Sequence, residues 1–358
     1  MKKIKVIFLT DWLDNPYKKL LIEHLSYKGV QVEIDRWNLI FLFRYFRLGR
    51  PNILHLHTLL SFVAGKNKIN RFIKIFLFIT QLILLKLIGT QTIWTVHELT
   101  DKSQDGKYNI SPLQAAVVGK FIRSVITHCD TTKHKIIKLF CLENEDKVFT
   151  IPHGNYIGFY ENKANRLEFR KTLGIPTENF VFLIFGYIYR YKGVLEAIDT
   201  FQALQQDGIS LLIAGSCAED KLEEMILEKI KGYKNISFVH RRIPDDEIQI
   251  YMNVCDCVVV PYKVFTTSGV AILAMSFGRA CIAPRVGFFS DVLDDSGAFL
   301  YDSTQEDGLL QAMKCAVEKK NQILDMGQYN LKLAEQWNWS YVAEQTFNVY
   351  RRCLNYQQ

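Results

Sequence analysis

Short apolar runs alternate with polar, helix-like stretches along most of the chain. Runs such as Lys3–Thr10, Val30–Arg36 and Phe180–Phe185 are rich in β-branched and aromatic residues and have the length of strands. The stretches between them, for example Lys18–Gly29 and Val194–Leu204, fit helices. Strands that alternate with helices are typical of parallel β–α units. The pattern therefore predicts an α/β protein built on doubly wound parallel sheets.

One stretch, Asp256–Pro284, is almost entirely apolar. It predicts a buried strand at Asp256–Val260, a compact helix at about Gly269–Phe277 and a second strand at Ala280–Ala283. The helix is apolar on every side, which indicates a central position. Good N-cap residues precede it, namely Thr266, Thr267 and Ser268. The unpaired amides of its first turn predict an anion site, with an ordinary capped core helix as the alternative.

The length and the order of the elements indicate two domains. A chain of 358 residues is long for a single core. A second α/β series begins at Phe180, after the polar stretch Gly158–Asn165. We predict an N-terminal Rossmann-like domain at residues 1–160, a second one at 166–338, and a C-terminal helix at 339–358 that packs back on the first domain.

Polar residues collect where the predicted strands end, which is where parallel sheets bind ligands. In the first half these residues are Asp11, His57, His97, Glu98, His153 and Asn155. In the second half they are Gly186, Arg190, Lys192, Ser216, Arg241, Arg242, Thr267, Ser268 and Gly269. The second set combines cations, a glycine turn and a helix N-terminus. Such a cradle suits a diphosphate leaving group whose charge is stabilised without a metal.

Simpler roles compete for several of these residues. His97 could be a hydrogen-bonded histidine at a strand end, and Arg241–Arg242 could be a solvated pair. Lys192 could be a cation at a helix start, although a bound anion explains it better because the helix dipole disfavours a cation there. His55 and His57 alternate onto one face of a strand, where packing or ligand contact is favoured over metal binding.

Charge is distributed unevenly along the chain. Residues 1–90 contain 15 Lys and Arg and 5 Asp and Glu, whereas the remainder contains 29 and 32. Residues 36–97 contain nine basic residues and no acid. Within them, residues 66–89 predict a helix that is either buried or interfacial on anionic lipid. Apolar content this high disfavours nucleic acid, so we predict an anionic membrane surface as the partner, with binding weakened by charge reversal at Lys66, Lys68, Arg71 and Lys74.

Cysteine usage and the N-terminus favour a cytoplasmic protein, with peripheral attachment to the inner face of the membrane as an option. The eight cysteines are scattered, which suits reduced and buried thiols. Cys255 and Cys257 lack a second pair at ligand spacing, so no metal site is predicted. The first residues lead directly into a strand without a cleavage site, which argues against a signal peptide.

Several motifs carry a resemblance to a known family. They are NILHLHT, TIWTVHE and FTIPHGNY in the first half, and RKTLGIPTENFVFLIFGYIYRYKGVLEAIDTFQAL, LLIAG, IPDDEIQIYMNVCDCVVVPY and SGVAILAMSFGRACIAPRVG in the second. In order and spacing, the chain resembles GT-B glycosyltransferases, close to family 4. Such enzymes transfer a sugar from a nucleotide diphosphate donor that lies in a cleft between two facing Rossmann-like domains.

The resemblance implies roles for individual residues, and no cofactor besides the donor. Arg190 and Lys192 would hold the diphosphate, next to Gly186 and Thr267. The amides of Ser268, Gly269 and Val270 would hold its distal phosphate. Arg242 and Ile243 would contact the base. His97 would lie by the donor sugar, with Glu98 beside it, and Asp11, His153 and Asn155 would lie on the acceptor side.

The chain departs from the family in the sugar pocket. Most family 4 members have two glutamates seven residues apart, and Phe265 and Leu273 stand at these positions. The sequence resembles a subgroup with Ser-Gly before the helix. Retention of the anomeric configuration is expected from the family. An inverting transfer would need a base, for which Glu98 and Asp101 are candidates.

The prediction is a hexosyltransferase that builds a polysaccharide or glycolipid on a glycan or lipid-linked acceptor. A non-catalytic nucleotide-sugar binding or partner subunit is the alternative, because the two glutamates are missing. A nicotinamide oxidoreductase is disfavoured because no G-x-G-x-x-G follows a strand.

Overall fold

The computed structural model describes residues 3–47, 49–64, 67–99, 111–142, 144–217 and 219–354. The chain forms two compact units. The first unit comprises Met1–Gly154 and Trp337–Gln358, and the second comprises Asn155–Gln336. Each unit is built on a six-stranded sheet in which all the pairings are parallel. The predicted α/β class is confirmed.

The sheet of the first unit has the order β2-β1-β3-β4-β5-β6. Its strands are β1 (Ile4–Thr10), β2 (Val30–Arg36), β3 (Ile53–Leu56), β4 (Gln91–Thr95), β5 (Ser124–Thr127) and β6 (Val148–Thr150). The helices between them are α1 (Pro16–Ser26), α2 (Leu42–Arg47), α3 (Leu60–Val63), α4 (Lys68–Leu87), α5 (Pro112–Phe121) and α6 (Asp130–Leu139). The chain leaves β1 towards β2 on one side and returns to β3 on the other, so the topology switches between β1 and β3.

The sheet of the second unit has the order β12-β11-β10-β7-β8-β9, which is the Rossmann order. Its strands are β7 (Phe180–Phe185), β8 (Ile209–Ala214), β9 (Ile236–Val239), β10 (Cys257–Val259), β11 (Ala280–Pro284) and β12 (Ala298–Tyr301). Its helices are α7 (Arg166–Thr172), α8 (Val194–Ala203), α9 (Asp220–Ile230), α10 (Ile248–Val254), α11 (Gly269–Ser276), α12 (Phe288–Val292), α13 (Gly308–Glu318) and α14 (Ile323–Glu335). The topology switches between β7 and β10.

Local sequence explains where the first helix begins and how the chain leaves it. Asn15 caps α1 by accepting a hydrogen bond from the Tyr17 amide, and Pro16 stands at the first helical position, where its missing N–H costs nothing. After the helix, Gly29 adopts a φ of 77°, which directs the chain into β2.

A half-buried carboxylate fixes the central strand of the second unit. Asp256 precedes β10 and accepts hydrogen bonds from the Val181 amide at 2.8 Å and from Arg170 at 2.7 Å. Arg170 is 2% exposed and also donates to the Val254 carbonyl, so this buried charge is paired and fully engaged. Helix α11 follows β10 with both its faces largely buried, as its apolar sequence predicts.

The last helix, α15 (Trp339–Cys353), belongs to the first unit and packs against α1. Asn338 caps it by accepting from the Tyr341 amide. Tyr350 hydrogen-bonds His55 of β3 at 2.7 Å, and Lys28 forms an ion pair with Glu344. Side-chain bonds thus join the C-terminal helix to the sheet and to α1.

Helix α4 has two apolar faces. One face packs into the core of the first unit through Ile75, Phe78, Leu82 and Leu85. The other carries Ile69, Phe72, Phe76 and Leu87, whose exposed fractions lie between 61% and 77%. The buried and interfacial alternatives for this segment are therefore compatible. No helix in the described ranges is long and apolar enough to cross a membrane.

Candidate functional site

The switch point of the second unit brings backbone segments close together at the carboxyl end of β7. Gly186 follows β7 with a φ of 91°, and a Cβ there would lie 3.4 Å from Val270 of α11. A Cβ on Gly215, after β8, would lie 1.9 Å from the Gly186 carbonyl oxygen. The glycines thus allow a flat backbone surface against the start of α11.

The N-terminus of α11 offers unpaired polar groups at this switch point. Ser268 is the N-cap, and its Oγ accepts from the Ala271 amide at 3.2 Å. The amides of Gly269 and Val270 have no hydrogen-bond partner among the described residues. Thr267 Oγ1 is buried and likewise lacks a partner within those ranges. These donors and the helix dipole form the predicted anion site.

Lys192 lies at the same switch point, in the short turn between β7 and α8. Its ammonium donates to the Tyr187 carbonyl at 2.5 Å and lies 5.3 Å from the ring centroid of Tyr262, which follows β10. Burial raises the pKa of the Tyr262 hydroxyl, which therefore stays neutral and shares a hydrogen bond with Ser268. The structure thus links the predicted cation to both strands of the switch point.

The other predicted cations lie further out. Arg190 points along α9, with its Nη2 3.3 Å from Met225 Sδ, so it diverges from Lys192. Arg241 forms an ion pair with Glu247. Arg242 is exposed and Ile243 half-buried, beyond the end of β9. Since β9 lies two strands from β7, this pair lies about 10 Å from the switch point by strand spacing.

The switch point of the first unit opens into a cavity of about 460 Å³. Polar residues from β1, α1 and the ends of β3 and β4 line it. The main ones are Thr10, Asp11, Asn15, Lys18, His57, Thr58, Ser61, His97 and Glu98. Two tryptophans, Trp12 and Trp94, contribute aromatic surface. Aromatic faces with several hydroxyl, amide and charged groups suit a polar ligand such as a sugar.

Lys18 is an unusual member of this cavity. Its side chain is 2% exposed, and its Nζ hydrogen-bonds Thr10 Oγ1 at 2.8 Å. It forms no salt bridge with a described residue. Burial lowers the pKa of Lys18 to about 8, while attraction to Asp11 and Asp14 acts in the opposite direction. A buried lysine with a lowered pKa at the wall of a cavity is a candidate functional residue.

Four consecutive strands place histidines at one end of the first sheet. His57 follows β3, His97 follows β4, His128 follows β5 and His153 follows β6. The ring of Tyr17 lies within 6.1 Å of each of them, measured between centroids. No group of three or more His, Cys, Asp or Glu in the described ranges could hold a metal ion.

Burial keeps these histidines neutral. It lowers the pKa of His128 to about 4 and that of His153 to about 3, and repulsion between neighbouring rings adds to its effect on the pKa of His57 and of His97. His97 Nε2 lies 3.0 Å from His57 Nδ1, so the two rings share one proton. His97 is thereby oriented at the wall of the cavity as a neutral polar group.

The remaining predicted site residues differ in their exposure and in their hydrogen bonds. Glu98 is exposed at the cavity, and His153 is buried, with its Nδ1 2.8 Å from the Gly154 carbonyl oxygen. Asn155 belongs to the second unit, where its amide donates to the Ala334 carbonyl at 2.7 Å. Asp11 and His153 belong to the first unit. Asp101 and Lys66 lie outside the described residues.

Sequence reasoning missed several residues of the two sites. In the first unit these are Lys18, Thr58, Ser61 and Tyr17, and in the second unit Tyr262 and Gly215. Thr58 and Ser61 could have been found because they follow β3 directly, as the ligand-binding residues of a parallel sheet do. Lys18 carries no such signal, because it looks like any cation in the first turn of a helix.

Comparisons with known proteins show similarity to glycosyltransferases in sequence and in fold. Residues 165–333 match the family model described as glycosyl transferases group 1. The chain is 25% identical over 319 residues to a GDP-mannose:glycolipid 4-beta-D-mannosyltransferase of Xanthomonas campestris pv. campestris, covering 87% of this chain and 83% of that protein.

Solved structures of the same fold cover nearly the whole chain. Sucrose-phosphate synthase from Thermosynechococcus elongatus superposes with a TM-score of 0.77 at 15% identity, over 99% of this chain and all of that one. HepE from Anabaena, in complex with UDP and glucose, superposes with a TM-score of 0.74 at 14% identity, over 98% of this chain and all of that one. These identities are low, so the superpositions establish the fold.

Proposed function

We propose that this chain, whose second unit matches the family model of glycosyl transferases group 1 and whose fold is that of GT-B glycosyltransferases, transfers a hexose from a nucleoside diphosphate sugar to a lipid-linked or glycan acceptor. The donor binds at the switch point of the second unit. The acceptor binds in the cavity of the first unit. The relative that uses GDP-mannose and a glycolipid supports both substrate classes.

One observation carries the proposal, namely the cradle at the carboxyl ends of β7 and β10. Three kinds of anion-binding group converge there: the Lys192 ammonium, the unpaired amides of α11 and the orphaned Thr267 hydroxyl. A diphosphate that leaves as a dianion or trianion is stabilised by such donors as its charge develops. We propose that these groups replace a metal ion, so that the transfer proceeds without one.

In this proposal the rest of the nucleotide extends from β7 towards β9. The diphosphate lies at Lys192 and the α11 amides, and the base lies at Arg242 and Ile243. These two places are about 10 Å apart, because β9 lies two strand spacings from β7. The Arg190 side chain points along α9, so it contacts the bound nucleotide at most at the periphery of the donor site.

A donor panel tests the proposal. The purified protein is incubated with UDP-, GDP- and ADP-hexoses, and released nucleoside diphosphate is measured with and without lipid-linked acceptors. We expect one donor to be turned over, and the reaction to continue in the presence of EDTA. No turnover of any donor would contradict the proposed activity.

Lys192→Ala examines the cradle itself. Loss of one charge-assisted contact to the diphosphate costs a few kcal/mol of transition-state stabilisation, so kcat/KM should fall about 100-fold. Lys332→Ala, which removes an exposed lysine of α14, serves as the matched control and should leave kcat/KM unchanged. A Lys192→Ala enzyme that transfers sugar at the parental rate would mean that the cradle is misplaced.

The exposed face of α4 supports a peripheral position on the cytoplasmic face of a membrane. Ile69, Phe72, Phe76 and Leu87 form one stripe, and Lys68 and Lys86 flank it. Residues 36–97 contain no acid, so this part of the surface is attracted to anionic lipid. A membrane surface also gives access to a lipid-linked acceptor.

The alternative of a non-catalytic binding subunit rests on the sugar pocket. Phe265 packs on Phe289 with a centroid distance of 4.6 Å, and Leu273 is buried in α11, so neither position offers a carboxylate to a sugar. Nucleoside diphosphate binding without turnover of any donor would favour this alternative over the enzyme.

A further inference from the structure

The inner face of α4 carries two cations next to the cavity of the first unit. Arg71 precedes the buried Ile75 by one helical turn, and Lys74 precedes the buried Phe78 by one turn. The two cations therefore lie on the core side of the helix, where both are half-buried. Neither forms a salt bridge with a described residue.

These cations and a nearby indole offer N–H groups that lack acceptors. Arg71 Nε is shielded from solvent and has no hydrogen-bond partner among the described residues, and the same holds for Trp37 Nε1. Lys74 Nζ lies 5.7 Å from the Trp37 ring centroid, and its hydrogen bond to the Ser61 carbonyl oxygen is long, at 3.4 Å. Because buried donors in native proteins are nearly always paired, this cluster calls for an acceptor that a ligand supplies.

The charges around the cluster indicate that this acceptor is an anion. The first seven residues of α4 contain Lys68, Arg71 and Lys74, and the helix contains no acidic residue. The positive end of the helix dipole disfavours cations there, and a bound anion offsets the effect. A phosphoryl group offers several strong acceptor oxygens, so it can receive a guanidinium, an ammonium and an indole N–H from different sides.

The cluster lies beside the cavity that we propose for the acceptor. Ser61 Oγ donates to Asp11 Oδ2 at 2.8 Å at the cavity wall, while the carbonyl oxygen of the same serine receives Lys74 Nζ. The exposed apolar stripe occupies the opposite face of α4, about 10 Å away across one helix. A group bound by Arg71 and Lys74 therefore lies between a sugar in the cavity and a lipid at the stripe.

We infer that Arg71, Lys74 and the Trp37 indole bind the phosphoryl group that joins the acceptor glycan to its lipid. The inference rests on the proposed function and names its acceptor class, a glycan carried on a lipid phosphate or diphosphate. A neutral glycolipid lacks the anion that these donors need. All the residues of this phosphoryl site belong to the first unit, whereas the donor cradle belongs to the second.

Binding of geranyl diphosphate, a water-soluble prenyl diphosphate, tests the site without a membrane. Equilibrium dialysis uses the full chain with Lys192→Ala, so that the donor cradle lacks its cation. Arg71→Gln and Lys74→Gln should each raise the Kd about 10-fold, because each removes a charge-assisted contact. Trp37→Phe keeps an aromatic ring but loses the N–H, so it should raise the Kd about fivefold. Arg71→Lys keeps the charge and should retain part of the affinity.

Lys138→Gln is the matched control, because it removes an exposed cation of α6 in the same unit and should leave the Kd unchanged. Two further probes identify the feature that is bound. Geraniol lacks the phosphate, and dihexanoylphosphatidylglycerol carries the phosphodiester of a bilayer headgroup. Both should bind about 10-fold more weakly than geranyl diphosphate. Circular dichroism verifies that each variant is folded.

Steady-state kinetics with the lipid-linked acceptor used in the donor panel gives a second readout. Arg71→Gln and Lys74→Gln should raise the KM for the acceptor about 10-fold and leave the KM for the donor within about twofold. Hydrolysis of the donor in the absence of acceptor should be unchanged, because the variants do not alter the donor cradle.

Unchanged binding of geranyl diphosphate in the Arg71→Gln and Lys74→Gln proteins would overturn the inference, and so would equally tight binding of geraniol. Tight binding of dihexanoylphosphatidylglycerol that both variants abolish would assign the site to bilayer headgroups, which also overturns it. Donor turnover with unaffected acceptor KM would contradict the inference and leave the proposed function standing. Absence of turnover with every donor would contradict the proposed function and the acceptor assignment with it.

Discussion

Among individual residues, the buried histidines of the first unit make the stability of the protein depend on pH. His55, His57, His97, His128 and His153 are all held neutral by burial, so the pKa of each lies below the ordinary value of 6.5. An unfolded chain takes up these protons near pH 6.5, whereas the folded unit takes them up only at lower pH. Stability is therefore complete above pH 6.5 and is lost as the pH falls towards 4.

We expect His128→Gln to reduce this acid sensitivity. The amide of glutamine can donate to the Ile151 carbonyl, as His128 Nδ1 does at 3.0 Å, but it takes up no proton. Because the pKa of His128 is about 4 in the folded protein and 6.5 in the unfolded chain, this residue alone should lower the free energy of unfolding by about 2 kcal/mol between pH 7 and pH 5. Urea unfolding at the two pH values measures the difference.

The control for that variant is His134→Gln, which changes an exposed histidine of α6. It should unfold with the parental pH dependence. Equal pH dependence in the His128→Gln protein and the parent would mean that His128 is not a source of the acid sensitivity.

Single glycines decide whether the backbone of the second unit can close around its switch point. Gly215 adopts a φ of 148°, and a Cβ there would meet the Gly186 carbonyl oxygen at 1.9 Å. Gly215→Ala should therefore destabilise the protein by several kcal/mol, by steric collision and by backbone strain. Gly208→Ala has a φ of 71° and nothing within 4 Å, so it should cost only about 1 kcal/mol. Thermal unfolding of both variants compares the two effects.

Among the secondary-structure elements, helix α4 has one apolar face in the core and a second apolar face that is exposed to solvent. Its buried face stabilises the first unit, and its exposed aromatic stripe is left for a partner. Lys74 belongs to the inner side, because its ammonium lies 5.7 Å from the Trp37 ring centroid and 3.4 Å from the Ser61 carbonyl oxygen. Lys74 is therefore the predicted cation least suited to meet lipid, whereas Lys68, which is also among the predicted four, and Lys86 are exposed and are the better sites for charge reversal.

We expect the protein to float with vesicles that contain phosphatidylglycerol and to be released by high salt. Each lysine near an anionic surface contributes about 1 kcal/mol, so charge reversal at Lys68 and Lys86 should weaken binding. Replacement of Phe72 and Phe76 by serine should weaken it further, because the apolar side chains insert.

Leu324→Ser is the matched control for the phenylalanines, since Leu324 is 69% exposed on the second unit. Equal binding to neutral and anionic vesicles would mean that electrostatic attraction to anionic lipid does not contribute to binding. Failure to bind either kind of vesicle would contradict the proposal that the exposed stripe on α4 binds a membrane surface.

In the complete molecule, the two units can be observed separately. All five tryptophans, at positions 12, 37, 94, 337 and 339, belong to the first unit. The buried histidines belong to the same unit, whereas the donor cradle belongs to the second. Tryptophan fluorescence therefore reports on acid unfolding of the first unit alone.

Upon acidification we expect tryptophan fluorescence to change between pH 6.5 and 4, before the loss of helical circular dichroism is complete. A nucleoside diphosphate at 100 times its Kd should stabilise the second unit by about 2.7 kcal/mol without moving the fluorescence transition. Coincident transitions in both signals, shifted equally by the nucleotide, would contradict separate responses.

The type and the order of the elements could be predicted from the amino-acid sequence. Strands such as Phe180–Phe185 and helices such as α11 are specified by short-range patterns of apolar residues, caps and glycines, because burial and capping act on neighbouring residues. The same patterns located Lys192, the α11 amides, Asp11 and His97 at strand ends. Whether these residues bind the substrates stays a prediction.

Which of these residues meet depends on long-range packing. The register of β1 and β3 brings Asp11 to Thr58, and the order of four strands assembles the histidines around Tyr17. Long-range packing also buries the Lys18 side chain and directs the Arg190 side chain away from Lys192. It assigns Asn155 to the second unit. Strand pairing and burial join residues that are far apart in sequence, so no local pattern contains them.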